Sequence, residues 1–293
     1  MYGKLSRAEK LFQALNFTFL GIVALCALYP FVYTLSISLS TAAEANRAGL
    51  HLYPRHLSLV AYRMVFANPN IISGFGNSLV RTVIGTVLTL LMTCLAAYPL
   101  ARKELPHRSR LIFLVLFTMI FSGGMIPSYL LIRSLGLINT IWALILPLLV
   151  SAFNIIVVKN FFQSIPESLV EAARIDGASE WRILFRILIP LSKPVLATVA
   201  LWTAVAHWNS WFDAMIYITG DNRQVLQTFL QRIVIENSTQ LIEKGVVNPN
   251  LSQFTPETIK AATVVVTILP IVLVYPFLQK YFVKGIMLGG IKE

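Results

Sequence analysis

Residues 164–194 read SIPESLVEAARIDGASEWRILFRILIPLSKP, a polar and charged stretch that separates two long apolar runs. A chain that alternates apolar runs of about 20 residues with charged connectors is typical of a helical membrane protein, because a hydrocarbon core of roughly 30 Å needs that length of helix. We therefore expect the stretch to lie on one side of a membrane, where a partner can reach it.

The composition agrees with a membrane protein. Of 293 residues, 56% are hydrophobic and 13% are charged, whereas soluble domains carry about 25% charged residues. The net charge of +11 is compatible with nucleic-acid binding, but the basic residues lie in short runs beside apolar stretches, which is the orientation pattern of membrane proteins. We expect membrane lipid around the chain and no nucleic acid partner.

Six charge-free intervals predict six transmembrane helices and an all-α fold: residues 11–43, 82–101, 111–132, 134–158, 194–212 and 261–279. The first interval is too long for a cleaved signal peptide, so it predicts a retained span. Gly123, Gly124 and the prolines of the spans predict bent helices, either as fixed kinks or as moving hinges.

The basic residues predict the orientation. With the N-terminus inside, 15 of the 24 Lys and Arg fall on the inner side, which places both termini and residues 164–194 in the cytoplasm. Arg81 is expected near the outer end of the second span, with its guanidinium reaching toward water. Asp213 is expected to be solvated at the outer end of the fifth span. In the outer loop that follows, LQTFLQRIVI from Leu226 predicts an amphipathic helix, lying at the interface or packed on the bundle.

Local signals divide residues 164–194 into two short helices. Ser164 and Glu167 predict a capping box, and Gly177 predicts the end of the first helix near Asp176. Ser179 is expected to cap a second helix from Glu180 to Ile189. On this pattern alone, an ordinary connector and a docking element are equally good interpretations.

Motifs that carry catalytic or metal-binding chemistry are missing from the sequence. There is no GxxxxGK[ST] phosphate loop, and Cys26 and Cys94 show no metal spacing. No charged residue of the kind that relays protons is expected inside a span. We therefore predict no catalytic residue and no metal site, and any transport would draw its energy from another chain.

The spacing Glu171, Ala172, Ala173, three residues, Gly177, nine residues, then Ile187, Leu188, Ile189 and Pro190 resembles the EAA loop of binding-protein-dependent ABC importer permeases. That family pattern reads EAA, three residues, G, nine residues, I-x-L-P, and Ile189 replaces its leucine. Nearly the whole chain is similar to the carbohydrate-type, MalG-like permeases, in the branch of LplC and YtcP. We call residues 164–194 the EAA loop.

The resemblance implies a type I importer permease with cytoplasmic coupling helices. By resemblance, the residues that dock on the ATPase are Glu171, Ala172, Ala173, Asp176, Gly177, Ala178, Ile187 and Pro190. The implied partners are an ABC ATPase dimer that binds the ATP and Mg, a second permease that is a different chain, a solute-binding protein and an oligosaccharide. This chain itself is expected to hold no cofactor.

Two further sets of residues are candidates. The translocation pathway candidates are Trp202, His207, Trp208, Asn209 and Trp211; an aromatic belt that anchors the span is the alternative. His207 and Asn209 point to different sides of a helix, whereas Trp208 and Trp211 are expected to share a face. The tail candidates, which the resemblance places against the ATPase, are Lys284, Gly285, Gly289 and Gly290; a frayed cationic end is the alternative.

The expected organisation has three parts: a first helix and outer loop (1–75), a transporter core (76–282) and a cytoplasmic tail (283–293). The expected function is half of the membrane pathway for an oligosaccharide. A structural or signalling membrane protein that docks partners on its connector is the alternative. Four arginines of the outer loops have two equally good interpretations, binding of an acidic sugar or ordinary surface charge: Arg47, Arg55, Arg63 and Arg223.

Overall fold

The computed structural model describes residues 6–220, 223–235 and 255–290, with side chains for 6–220, 223–233 and 255–276. Within these ranges the regular structure is helical, apart from one isolated bridge between Ser40 and Leu57. The chain divides into two compact units, one of Met1–Pro69 with Arg232–Ile268 and one of Asn70–Gln231 with Leu269–Glu293.

The first unit begins with a long apolar helix. Helix α1 is Arg7–Ser38, followed by α2 (Ala42–Ala45) and α3 (Val60–Ala67). Ser6 caps α1 in a capping box with Glu9, which accepts a hydrogen bond from the Ser6 backbone N–H. The apolar side chains of α1 are exposed along most of its length, so this helix presents its surface to lipid or to another chain.

A buried carboxylate holds the loop between α2 and α3. Glu44 is buried and accepts the backbone N–H groups of Arg55 and His56 at 2.5 and 3.1 Å. The Arg55 N–H holds the pKa of the Glu44 carboxyl below its ordinary value. Because the folded pKa is lowered, this contribution to stability is present near neutral pH and is lost as the pH falls through the folded pKa.

Glu44→Gln removes the charge that these two N–H groups stabilise, and we expect the loop to open more often. Trypsin should then cleave after Arg47 and Arg55 several-fold faster at pH 8, as followed by mass spectrometry. Glu257→Gln, at an exposed carboxylate of the same unit, is the control. Equal cleavage rates in the two variants would show that Glu44 does not hold the loop.

The second unit contains most of the helices, together with the C-terminal part of the last helix. Its helices are α4 (Pro69–Ala101), α5 (Arg108–Ile120), α6 (Met125–Ser134), α7 (Trp142–Ile145), α8 (Ala152–Ser164), α9 (Glu167–Ile175), α10 (Glu180–Ile183), α11 (Ile189–Leu191), α12 (Lys193–Asn209) and α13 (Phe212–Tyr217). Two more helices have residues in both units: α14 (Leu226–Ile235) and the last helix, α15 (Pro256–Gly290).

Three helical segments are long and apolar enough to span a membrane: α1, α4 and Pro256–Pro276 of α15. Three further pairs pass the same test together but are bent, by 110° between α5 and α6, by 52° before α8 and by 82° before α12. Gly124 has φ +86° at the first break, a conformation that favours glycine. The all-α fold and the kinked spans are confirmed for the described ranges, while the count of six spans and the orientation stay predictions.

Helix α4 carries one continuous buried stripe. Its buried residues recur every three or four positions: Ile71, Gly74, Ser78, Arg81, Gly85, Thr89, Thr93, Ala97 and Leu100. This period is that of one helix face, and small or polar residues fill most of it, as they do where helices pack closely in membranes. Leu226 of α14 donates its backbone N–H to Ser78 at 2.9 Å, and Phe229 lies against Gly74. The predicted helix at Leu226 is therefore present and packed on the bundle.

Two apolar clusters lie along the second unit. One joins the C-terminal half of α4 to α8, α9, α10 and α12 around Tyr98, Phe162 and Ile183. The other joins α6, α7 and α13 around Ile132, Leu144 and Tyr217. The two clusters hold the two candidate sites described next.

Candidate functional site

The EAA loop forms two helices joined by a glycine turn. Helix α9 ends at Ile175 with Asp176 as its C-cap, and Gly177 follows with φ +74°. Ser179 caps α10, because its hydroxyl accepts the Arg182 N–H at 3.4 Å. The predicted helix, glycine turn, helix order is confirmed.

The predicted capping box at Ser164 is wrong. Ser164 is the last residue of α8, and its hydroxyl donates to the Phe161 carbonyl at 2.7 Å. Pro166 occupies the N-cap position of α9, and no side chain caps that end. The preceding helix extends to the serine and leaves it no freedom to turn toward α9.

The second helix of the loop is longer and less regular than predicted. From α10 it passes through a π-helical segment, Leu184–Leu188, into α11, and Ile187 and Pro190 lie in these two parts. It then bends by 82° into α12. Pro190 cannot donate to the preceding turn, which is one cause of irregular helical hydrogen bonding here.

A charge cluster ties the EAA loop to the C-terminal end of α4. The Tyr98 hydroxyl donates to the Glu180 carboxylate in a short hydrogen bond and accepts from Arg102 at 2.8 Å. Across the glycine turn, Arg174 donates to the same carboxylate at 3.1 Å. At the start of the loop, Lys103 pairs with Glu167 at 3.3 Å. Both helices of the loop therefore bond to the C-terminal end of α4 or to the residues that directly follow it.

The turn between α9 and α10 exposes large apolar side chains. Ile175 is 87% exposed and Trp181 is 65% exposed, and the Trp181 ring stacks on Phe185 at a centroid distance of 6.0 Å. Glu171 and Ala172 are also exposed, on the first helix. A rigid turn with unburied apolar groups is the form of a docking surface.

We expect Glu180→Gln to loosen the turn, because the carboxylate is the acceptor shared by Tyr98 and Arg174. These charge-assisted bonds are half exposed, so we expect a loss of about 1 kcal/mol. Amide hydrogen exchange over residues 174–180 should rise roughly fivefold in mass spectrometry. Glu171→Gln, at an exposed carboxylate on the same loop, is the control and should leave the exchange unchanged. An unchanged rate in Glu180→Gln would contradict the cluster.

A buried ion pair occupies the other half of the second unit. Arg81 of α4 is fully buried, with 0% of its side chain exposed, and pairs with Asp213 of α13, which is 20% exposed. The same guanidinium donates to the backbone carbonyls of Ser210 at 3.0 Å and Leu144 at 3.2 Å. Arg81 therefore joins α4, α7 and the break between α12 and α13.

This pair overturns two expectations. Arg81 was expected to reach toward water, and Asp213 was expected to be solvated. The positions are 132 residues apart, so sequence reasoning missed the pairing. The available signal was the opposite charge of two residues at the outer ends of two predicted spans.

His207 packs beside this pair on the buried face of α12. Its side chain is 1% exposed, and a Cβ at Gly85 would lie 2.5 Å from its Nε2 atom. Gly85 is therefore required for the close approach of α4 and α12, since any larger residue meets the imidazole.

Asp213→Asn leaves a buried guanidinium that cannot lose its proton, and we expect it to cost about 3 kcal/mol of unfolding free energy. The pair of substitutions Arg81→Met and Asp213→Leu removes both charges and should recover most of the loss. Thermal unfolding of the purified protein in detergent measures both. Arg133→Met, at an exposed arginine, is the control. A double variant no more stable than Asp213→Asn would contradict this account.

The five pathway candidates do not form one surface. His207 and Trp208 are buried, whereas Trp202 and Asn209 are exposed. Because Trp202 and Asn209 are seven positions apart, their directions around the helix axis differ by only about 20°. Trp211 lies beyond the end of α12 at Asn209, so it does not share a helical face with Trp208 as expected. The pathway role stays a prediction, and Trp202 and Asn209 are the candidates with a common exposed face.

The tail candidates lie at the edge of the described structure. Helix α15 continues through Gly290, so the backbone at Lys284, Gly285, Gly289 and Gly290 is helical. Their side chains, and residues 291–293, lie outside the described residues. The ATPase contact of the tail stays a prediction.

Comparison with known proteins identifies a family match over residues 95–288, to the model described as "Binding-protein-dependent transport system inner membrane component". The matched region covers the EAA loop and α12. It ends two residues before the last helical residue of α15.

Two relatives from Bacillus subtilis are similar over nearly the whole chain. Protein LplC is 43% identical over 290 residues, 98% of this chain and 97% of its own. The "Polygalacturonan/rhamnogalacturonan transport system permease protein YtcP" is 43% identical over 287 residues, 97% of this chain and 99% of its own.

A solved structure has the same fold. It is a chain of "a bacterial ABC transporter involved in the import of the acidic polysaccharide alginate", with a TM-score of 0.87 and 35% identity, covering 96% of this chain and 99% of that chain. A second alginate transporter chain, at 14% identity and a TM-score of 0.58, supports the fold alone.

Proposed function

The chain belongs to the family of binding-protein-dependent transport system inner membrane components, and we propose that it forms half of the membrane pathway of an ABC importer for an acidic oligosaccharide. Its similarity to LplC and YtcP identifies it as a sugar permease. The acidic substrate is proposed because YtcP is named for polygalacturonan and rhamnogalacturonan, and the solved relative for alginate.

The observation that carries the coupling role is the exposed apolar turn of the EAA loop. Ile175 and Trp181 are left uncovered on a turn that is itself rigidly held by Glu180 and Arg174. Such a turn suits insertion into a cleft of a partner, since its shape is set before binding. We propose that the partner is the cytoplasmic ABC ATPase dimer, which binds ATP and Mg.

The complete importer contains two further partners in this proposal. A second permease chain of different sequence forms the other half of the pathway. In this chain, Trp202 and Asn209 share an exposed face of α12 that supports their proposed place in the pathway. A solute-binding protein delivers the oligosaccharide on the outer side. ATP-driven closure of the ATPase dimer moves the EAA loops, and the two permeases rock between outward-open and inward-open states.

Gly177→Val and Glu171→Arg test this coupling. Gly177 has φ +74°, where a side chain costs roughly 1–2 kcal/mol, and Glu171→Arg reverses a charge of the exposed face. We expect ATP-driven uptake of a labelled oligosaccharide to fall at least tenfold in proteoliposomes, and the ATPase to co-purify more weakly.

Gly49→Val is the matched control, because Gly49 also has positive φ and open space around it. It should transport normally. Normal sugar-stimulated ATP hydrolysis in both EAA-loop variants would refute the coupling role. Absence of ATP-driven oligosaccharide uptake by the wild-type importer would refute the proposed function itself.

A further inference from the structure

A cavity with both polar and apolar lining residues lies at the end of α4 opposite the EAA loop. It has a volume of about 430 Å³ and is lined by Asn77 of α4, by Asn139 and Trp142 around the start of α7, and by Arg223. Its size is within the roughly 300–1,000 Å³ of small-molecule sites. We call it the Asn139 pocket. Asn77 is 21 residues before Tyr98, about 32 Å along the helix, which is close to the thickness of a bilayer core.

The pocket is held in shape by its own hydrogen bonds. Asn139 has φ +61°, and its Oδ1 atom accepts the backbone N–H and the hydroxyl of Thr219 at 2.7 and 2.9 Å. The Asn139 carbonyl accepts from Arg223 Nη1 at 2.8 Å. Asn77 donates to the Gln224 carbonyl at 2.9 Å. Residues from three separate parts of the chain are therefore fixed around one space.

These internal bonds leave N–H donors of Asn139, Trp142 and Arg223 unused. Both bonds to the Asn139 amide use its oxygen, so its Nδ2 group still carries two N–H donors. Across the described chain, no hydrogen bond is recorded for Trp142 Nε1 or for Nη2 of Arg223. The described lining contains one cation and no carboxylate. A pocket with spare N–H donors and a positive charge favours a ligand that is anionic and rich in acceptors.

An indole and a guanidinium in one pocket suit a particular ligand chemistry. Arg223 is exposed and can pair with a carboxylate through its remaining N–H groups. Trp142 is 43% exposed, and an exposed indole face packs on the C–H surface of a pyranose ring. The Asn139 amide can donate to a ring hydroxyl. A uronic acid unit combines these three features: a carboxylate, an apolar ring face and hydroxyl groups.

We propose that the Asn139 pocket binds one uronate unit of the oligosaccharide on the outer side of the membrane, with Arg223 selecting its carboxylate. This inference rests on the proposed function, since it places a specificity site at the outer mouth of the same pathway. It makes Arg223 a substrate-binding residue and Asn139 the residue that positions it.

Binding of trigalacturonate to the purified importer, with its ATPase and without the binding protein, tests the inference by titration calorimetry. We expect Arg223→Gln to weaken binding about tenfold, because it removes one charge-assisted pair. The trimethyl ester of the same trisaccharide, which has no charge, should bind the wild type no more tightly than the acid binds Arg223→Gln. Trp142→Ala should weaken the acid and the ester alike.

Arg133→Gln is the matched control, since Arg133 is an exposed arginine of α6, close in sequence to the pocket but outside its lining. It should bind trigalacturonate within twofold of the wild type. Thermal unfolding of each variant separates loss of binding from loss of fold, and a destabilised Trp142→Ala would be replaced by Trp142→Phe.

Two results overturn the inference: the wild type does not bind trigalacturonate, or Arg223→Gln binds it as tightly as the wild type. If the second result is accompanied by weaker capture of the sugar-free binding protein, the pocket is a protein-docking surface instead. In each case, continued ATP-driven oligosaccharide uptake by the wild type leaves the proposed function standing, so the two failures are distinguishable.

Discussion

The buried pair of Arg81 and Asp213 holds together the part of the second unit where α4, α7 and the break between α12 and α13 meet. An arginine cannot be neutralised by losing its proton, so a guanidinium with no exposed surface needs a counter-ion and carbonyl acceptors around it. The break between α12 and α13 supplies them, since it brings the Ser210 carbonyl and the Asp213 carboxylate to the same guanidinium. An unbroken helix would have kept that carbonyl in its own ladder.

Helix α4 links this constraint to the EAA loop. Near its C-terminal end, Tyr98 donates a hydrogen bond to Glu180 of the loop. Toward its N-terminal end, Arg81 binds the Leu144 carbonyl of α7 and the Asp213 carboxylate of α13. The helix is continuous from Pro69 to Ala101, so a single element makes both sets of contacts. The Leu144 carbonyl accepts a hydrogen bond from Arg81, and Leu144 also lines the Asn139 pocket. Helix α4 therefore contacts both the EAA loop and the residues around the Asn139 pocket.

The distribution of polarity follows from the membrane. Apolar side chains are exposed along α1 and on much of α4, while Arg81, Thr89, His207 and Thr203 are buried. Without a hydrophobic force between helices in lipid, close packing of small residues and internal polar contacts must hold the bundle. Gly85 beside His207 is the clearest instance, because the helices meet where one residue has no side chain.

Local features could be predicted from the sequence: the helical spans with their kinks, the glycine turn at Gly177, the cap at Ser179 and the family spacing of the EAA loop. These depend on residues within a few turns of each other, so periodicity and caps are enough to predict them. Which side chains meet across the bundle became known from the folded structure. Arg81 and Asp213 are 132 residues apart and Tyr98 and Glu180 are 82 apart, and the Asn139 pocket joins three distant segments. Those encounters depend on where helices break and how they pack, which no local spacing encodes; the same limit hid the end of α8 at Ser164, where a neighbouring helix prevailed over a capping pattern.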